Sequence, residues 1–137
     1  MTQYRIPAKS SKYYVERELY LTTVHFCRQY PTWLAELSVD PDSSKAITYD
    51  KERVQTSNQS DPTSDIAVRR ADIARKVKLV ENVAETVAAS RTDAEWLILG
   101  VCYGLNAYQL YDRGMLLPRD RYYEMRKMFY YMMSQRL

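Results

Sequence analysis

The sequence predicts an all-α fold, a small helical domain whose C-terminal third reads as a helix-turn-helix unit. Apolar residues recur at three- and four-residue steps along most of the chain, and β-branched residues rarely alternate with polar ones at a period of two. Only three glycines occur among the 137 residues, and Gly104 and Gly114 stand where a helix has to stop. Caps and prolines mark the remaining boundaries. The length suits one domain over residues 1–137, with a core of its own.

Taken in order, Ser10 or Ser11 can cap a first helix reaching about Tyr30, with Tyr13, Tyr20, Val24 and Cys27 on its apolar side. Pro31 ends or kinks that helix, because it removes a donor and constrains Tyr30. Residues 32–37 form a short continuation. From residue 38 to 60 the chain is polar and aperiodic, a long loop in which Ile47, Tyr49 and Val54 can pin the middle. Asp61-Pro62 then opens a long helix, the carboxylate capping and the proline at the first helical position. Ile73, Val77, Val80, Ala84 and Val87 make a heptad-like stripe that packs inside the domain or against a second copy, so a homodimer is expected. The outer face of this helix carries Arg69, Arg70, Arg75, Lys76 and Lys78.

Thr92-Asp93-Ala94-Glu95 has the form of a capping box opening a helix that stops at Gly104. Asn106 can cap a short helix from Ala107 to about Arg113, stopped by Gly114, and Pro118 starts the last one. Residues 93–137 therefore read as helix, tight turn, short helix, turn, longer basic helix. That order fits a helix-turn-helix unit or a plain three-helix bundle with a basic surface. Tyr122, Met125, Phe129, Met132 and Met133 share the inward face and should pack on Trp96, Leu99 and Leu110. Tyr123, Lys127, Tyr130 and Tyr131 should point mostly outward.

Charge separates the two ends of the chain. Residues 1–62 balance eight basic against eight acidic side chains, whereas residues 119–137 hold Arg119, Arg121, Arg126, Lys127 and Arg136 against Asp120 and Glu124. A locally basic end on a neutral body suggests a surface facing an anion. Thirteen tyrosines, amphipathic at ring and tip, suit an interface.

Other functions find little support. No apolar run approaches the roughly 20 residues of a membrane span, and residues 1–5 lack the regions of a signal peptide, so a cytoplasmic protein is expected. Cys27 and Cys102 read as buried small hydrophobes and His25 as structural, because a zinc site needs three or four ligands at short spacings. With no phosphate loop, no His or Cys cluster and no serine beside a base, neither enzyme activity nor a cofactor is expected.

The tyrosine-rich first helix, the polar loop, Ser60 to Ile73 (SDPTSDIAVRRADI) and Leu116 to Met133 (LLPRDRYYEMRKMFYYMM) resemble the RinA/ArpU-like transcriptional regulators of phages of Gram-positive bacteria. The resemblance spans most of the chain. It implies a sigma-region-4-like DNA-binding end, a site of action in the bacterial host cell and a role in transcription. The positions matching the recognition helix are Arg119, Arg121, Tyr122, Tyr123, Arg126 and Lys127. The DNA-binding residues expected are Arg119, Arg121, Tyr123, Arg126 and Lys127, with duplex DNA as partner and RNA polymerase or another host protein as a further one. The rival expectation is a small phage protein that keeps the helix-turn-helix shape but binds and inhibits a host protein, with tyrosines as hot spots.

Overall fold

The structure, a computed structural model, describes residues 5–39 and 62–137. It is all-helical, with no strand among the described residues. The chain divides into two compact units, residues 1–31 with 79–137 and residues 32–78. The helices are α1 (Arg17–Arg28), α2 (Tyr30–Ser38), α3 (Pro62–Val87), α4 (Arg91–Val101), α5 (Ala107–Asp112) and α6 (Arg119–Ser134). The expected cap at Asp61, and the loop expected over 38–60 beyond Val39, lie outside the described residues.

The first helix starts later than the serines suggest. Ser11 spends its hydroxyl accepting from the Tyr13 amide at 3.1 Å, and the Ser11 amide closes a turn on the Ala8 carbonyl at 2.8 Å. Glu16 takes the capping role instead, its carboxylate accepting from the Leu19 amide at 3.2 Å. At the far end the chain breaks at Gln29 and restarts at Tyr30. Pro31 thus falls in the first turn of α2, where a missing N–H costs nothing.

In the larger unit, α1 packs on α4 and α6, and α4 packs on α5 and α6. Val24, Leu97, Val101, Leu110, Met125, Phe129 and Met133 form its sealed core. The expected partners Trp96 and Leu99 are only half-buried; Leu97 and Ala94 take the inward positions of α4. Ser90, not Thr92, holds the N-terminus of α4, its hydroxyl accepting from the Asp93 amide at 3.2 Å. Val80, Ala84 and Val87 of the heptad-like stripe are buried, so this stretch of α3 does not offer an open seam to a second copy.

The two turns that orient α6 are closed by backbone chemistry. Gly104 adopts φ 75°, and the Leu105 amide reaches the Leu99 carbonyl at 3.3 Å. Asn106 and Gln109 then exchange side-chain-to-backbone bonds, both 2.9 Å, as a reciprocal capping box. After α5, Gly114 takes φ 106°. Its amide donates to Tyr111 at 3.0 Å, and the Met115 amide donates to Leu110 at 3.1 Å. That pair of bonds is the Schellman ending, and the buried Met115 and Leu110 supply its usual apolar contact.

In the smaller unit the cations expected on an open outer face are largely engaged. Arg69 forks the Glu36 carboxylate at 3.0 and 3.2 Å. Arg70 donates to carbonyls at the end of α2, at Glu36 and Leu37, and just beyond it at Val39, over 2.9–3.1 Å. Carbonyls at a helix end lack the i+4 amide of the helix interior, which is why a long guanidinium serves them; that of Glu36 also accepts from the Val39 amide at 3.2 Å. Arg75 and Lys76 pair with Asp72, and Lys76 also lies 5.6 Å from the centre of the Trp33 ring. Glu36 and Asp72 therefore offset much of this charge.

Candidate nucleic-acid interface

Two aromatic contacts fix the last helix on the larger unit. Tyr13 meets Tyr131 edge-on at 6.0 Å and Tyr20 lies 5.2 Å from Tyr130, while within the helix Phe129 meets Tyr130 at 5.7 Å. Tyr130 is accordingly buried, at 2% exposure, and not outward as the pattern suggests. Its ring fills the seam with α1. The Gly100 position lets Tyr122 lie flush on α4, since a Cβ there would sit 1.8 Å from the phenol oxygen.

These contacts separate the expected site residues by face. Arg119, Arg121 and Lys127 are exposed, and Tyr123 and Arg126 are half-buried. Arg119 lies over the Tyr108 ring, 5.1 Å from its centre, and hydrogen bonds link its guanidinium to the Tyr108 and Tyr123 phenols. That hydrogen bond and the adjacent charge draw the Tyr108 pKa below its ordinary value. Arg126 lies 5.8 Å from the centre of the Tyr130 ring. Arg121 projects from the same exposed side as Asp120 and Glu124, so the outermost face is mixed in charge rather than purely basic.

Arg126, Lys127 and Tyr123 also line a cavity of about 280 Å³, completed by Arg5, Pro7, Tyr20 and Tyr130. Its wall thus contains three cations, three phenols and no carboxylate. The Tyr20 hydroxyl donates to the Arg5 carbonyl at 3.3 Å, which ties the N-terminal segment to α1 and holds Arg5 at the rim. Burial raises the Tyr130 pKa well above its ordinary value, against the opposing pull of Arg126, so the phenol stays protonated as a donor. Among the described residues neither Arg5, Arg126 nor Lys127 has a carboxylate within ion-pair distance. The contrast with Arg69, Arg75 and Lys76 is direct.

Sequence reasoning reached Tyr123, Arg126 and Lys127 but not Arg5, Pro7 or Tyr20. No local pattern places Arg5 beside a helix more than a hundred residues away. The one available signal was the run of tyrosines on the first helix, whose polar tips need partners when their rings are buried.

The cysteines hold no chemistry of their own. Both are buried thiols, and a hydrogen bond with Cys27, then burial, pushes the Cys102 thiol far above its ordinary value. A thiol so held stays protonated and unreactive. His25 is exposed on α1. Among the described residues no group of three His, Cys, Asp or Glu could hold a metal ion, and no helix is long and apolar enough to cross a membrane. Comparisons with protein-family models, with curated proteins and with solved structures find no match to this chain.

Proposed function

We propose that the protein is a DNA-binding transcriptional regulator of phage type, acting through α6 on duplex DNA and catalysing no reaction. The observation that carries this reading is the uncompensated charge around α6. Cations of the smaller unit are met by Glu36 and Asp72, whereas Arg119 and Arg126 rest on tyrosine rings with no acidic partner among the described residues. A guanidinium held by phenols keeps its charge, and its remaining N–H groups serve an incoming phosphate. Arg119, Arg126 and Lys127 take the phosphates in this reading, and Arg121, exposed and unpaired, takes a base edge. The order α4, α5, α6, with its two glycine-closed turns, supports docking as a helix-turn-helix unit. The resemblance to the RinA/ArpU-like regulators points the same way. Asp120 and Glu124 on the outer face favour a mode dominated by phosphate contacts at the helix flank.

The test is a mobility-shift titration on duplex DNA across a range of salt. Binding should weaken steeply with salt, and Arg119→Ala should flatten the slope by about one unit for the lost phosphate contact. Failure of the wild-type protein to shift duplex DNA at low salt refutes the reading. A second reading has its own observation: Leu116 is 93% and Tyr108 69% exposed, and Tyr108 lies under Arg119. Exposed aromatic and apolar groups beside arginine suit a protein partner such as a host polymerase. In that case Tyr108→Ala abolishes partner capture while DNA binding is feeble from the start.

A further inference from the structure

The geometry points to the cavity between the N-terminal segment, α1 and α6 as a binding site for a phosphomonoester, whether the group belongs to a free nucleotide or to the phosphorylated end of a nucleic acid. The inference shares Arg126 and Lys127 with the proposed DNA surface but does not require that surface to bind duplex DNA.

Four features carry it. The wall supplies the cations Arg5, Arg126 and Lys127, and no carboxylate offsets them. A half-buried guanidinium without an acid is costly unless something anionic comes to it. Phenols of Tyr123 and Tyr130 line the same space, and phenolic O–H groups donate to phosphate oxygens, while the Tyr20 O–H is engaged by the Arg5 carbonyl. A phosphomonoester carries close to two charges at neutral pH, where an internal diester carries one, so a three-cation site favours the terminal group. The volume, about 280 Å³, exceeds what a bare phosphate fills and lies near the lower end for small-ligand sites. Pro7 and the tyrosine rings offer the remaining space a flat apolar wall, as the body of a nucleoside needs.

The site is built, not accidental. Arg5 reaches the rim because the Tyr20 hydroxyl holds its carbonyl, and Arg126 is aligned along the Tyr130 ring, itself packed on Tyr20 and Phe129. One tyrosine, Tyr20, thus orders both sides of the cavity.

The test uses the full chain and small probes followed by calorimetry and thermal shift. Methyl phosphate should bind at least about tenfold more tightly than dimethyl phosphate, by the worth of one added charge-assisted contact. Arg5→Ala lies on the exposed rim, away from α6, and should weaken methyl phosphate binding about tenfold without lowering the melting temperature. Arg126→Lys keeps the charge but loses the fork and the stack, and should weaken it by a similar factor. Adenosine monophosphate binding more tightly than methyl phosphate assigns a free nucleotide. A preference for a 5′-phosphorylated oligonucleotide over its 5′-hydroxyl twin, without that gain, assigns a nucleic-acid end. Equal affinity for the mono- and diester, no binding of either, or unaltered binding in Arg5→Ala overturns the proposal. Arg119 lies outside the cavity, so Arg119→Ala should leave methyl phosphate binding unchanged while weakening duplex DNA. Failure of the wild-type protein to bind duplex DNA, with methyl phosphate still held, sinks the regulator reading and leaves this one standing.

Discussion

Replacing Gly100 by alanine tests whether α4 and α6 are locked together as closely as the geometry demands. A Cβ at this position would lie 1.8 Å from the Tyr122 hydroxyl oxygen, 3.0 Å from the ring carbon bearing it, and 3.5 Å from Leu110 Cδ1. Tyr122 is 2% exposed, so its ring has no open space to move into. Overpacking of this kind costs about 1–3 kcal/mol, while the better helix propensity of alanine returns up to about 1 kcal/mol. Gly100→Ala should therefore destabilise the protein by about 1–2 kcal/mol. In a Tyr122→Phe background the 1.8 Å clash disappears and only the 3.0 Å contact remains, so the same change should be nearly neutral. Urea denaturation of the four proteins, followed by circular dichroism, closes the cycle. A coupling of about 1 kcal/mol or more is expected for residues in contact. Gly100→Ala costing nothing, or the same amount in both backgrounds, refutes the close approach and with it the placement of Arg119 and Arg126 that depends on α6.

Two other outcomes follow from the same core. Phe129 is fully buried beneath α6, so Phe129→Ala should cost about 3–5 kcal/mol, read as a shift in the denaturation midpoint; a loss under about 1 kcal/mol contradicts the packing. Burial, against the opposing pull of Arg126, pushes the Tyr122 phenol up to about 12, while the unfolded chain titrates near its ordinary value of about 10. The folded state thus binds this proton more tightly, and its contribution to stability is complete below about pH 10 and lost as pH rises towards 12. The melting temperature should fall over that window, less so in Tyr122→Phe, and an identical profile in the variant would rule the residue out as a cause.

Much of the helical frame was legible because its boundaries are written by residues with one physical use. Gly104 and Gly114 occupy positive φ, Asn106 caps α5, and Pro118 precedes α6, all as the local sequence requires. Boundaries set by residues with several uses were not. Ser11 could cap a helix or close a turn, and it closes a turn; Glu16, rarely favoured as a cap, does the capping. Ser90 rather than Thr92 starts α4, and packing turns Leu97 inward in place of Trp96. Tyrosine is the residue that pattern handles worst. Its ring accepts burial and its hydroxyl accepts water, so Tyr130 and Tyr123 read alike in sequence although one is sealed and the other half-open. Of the residues around the cavity, Tyr123, Arg126 and Lys127 on α6 could be found from charge and spacing. Arg5 and Tyr20 could not, since only tertiary packing brings them there.

That packing sets an order in time. The ring pair Tyr20–Tyr130 joins positions 110 residues apart, and Tyr13–Tyr131 spans slightly more. Closing so long a loop is paid in chain entropy before any contact rewards it, which makes α1 docking on α6 a late event in an otherwise local, fast-forming helical chain. At ribosomal speeds of about 5–20 residues per second, residues 5–20 emerge roughly 5–20 s before the helix that covers them. During that interval the buried faces of Val15, Tyr20, Val24 and Cys27 have no α6 to rest on, and the cavity has only one wall. Anion binding is thus a property the nascent chain acquires last, after Phe129 and Tyr130 arrive, so a refolding experiment should show helix formation running ahead of ligand capture.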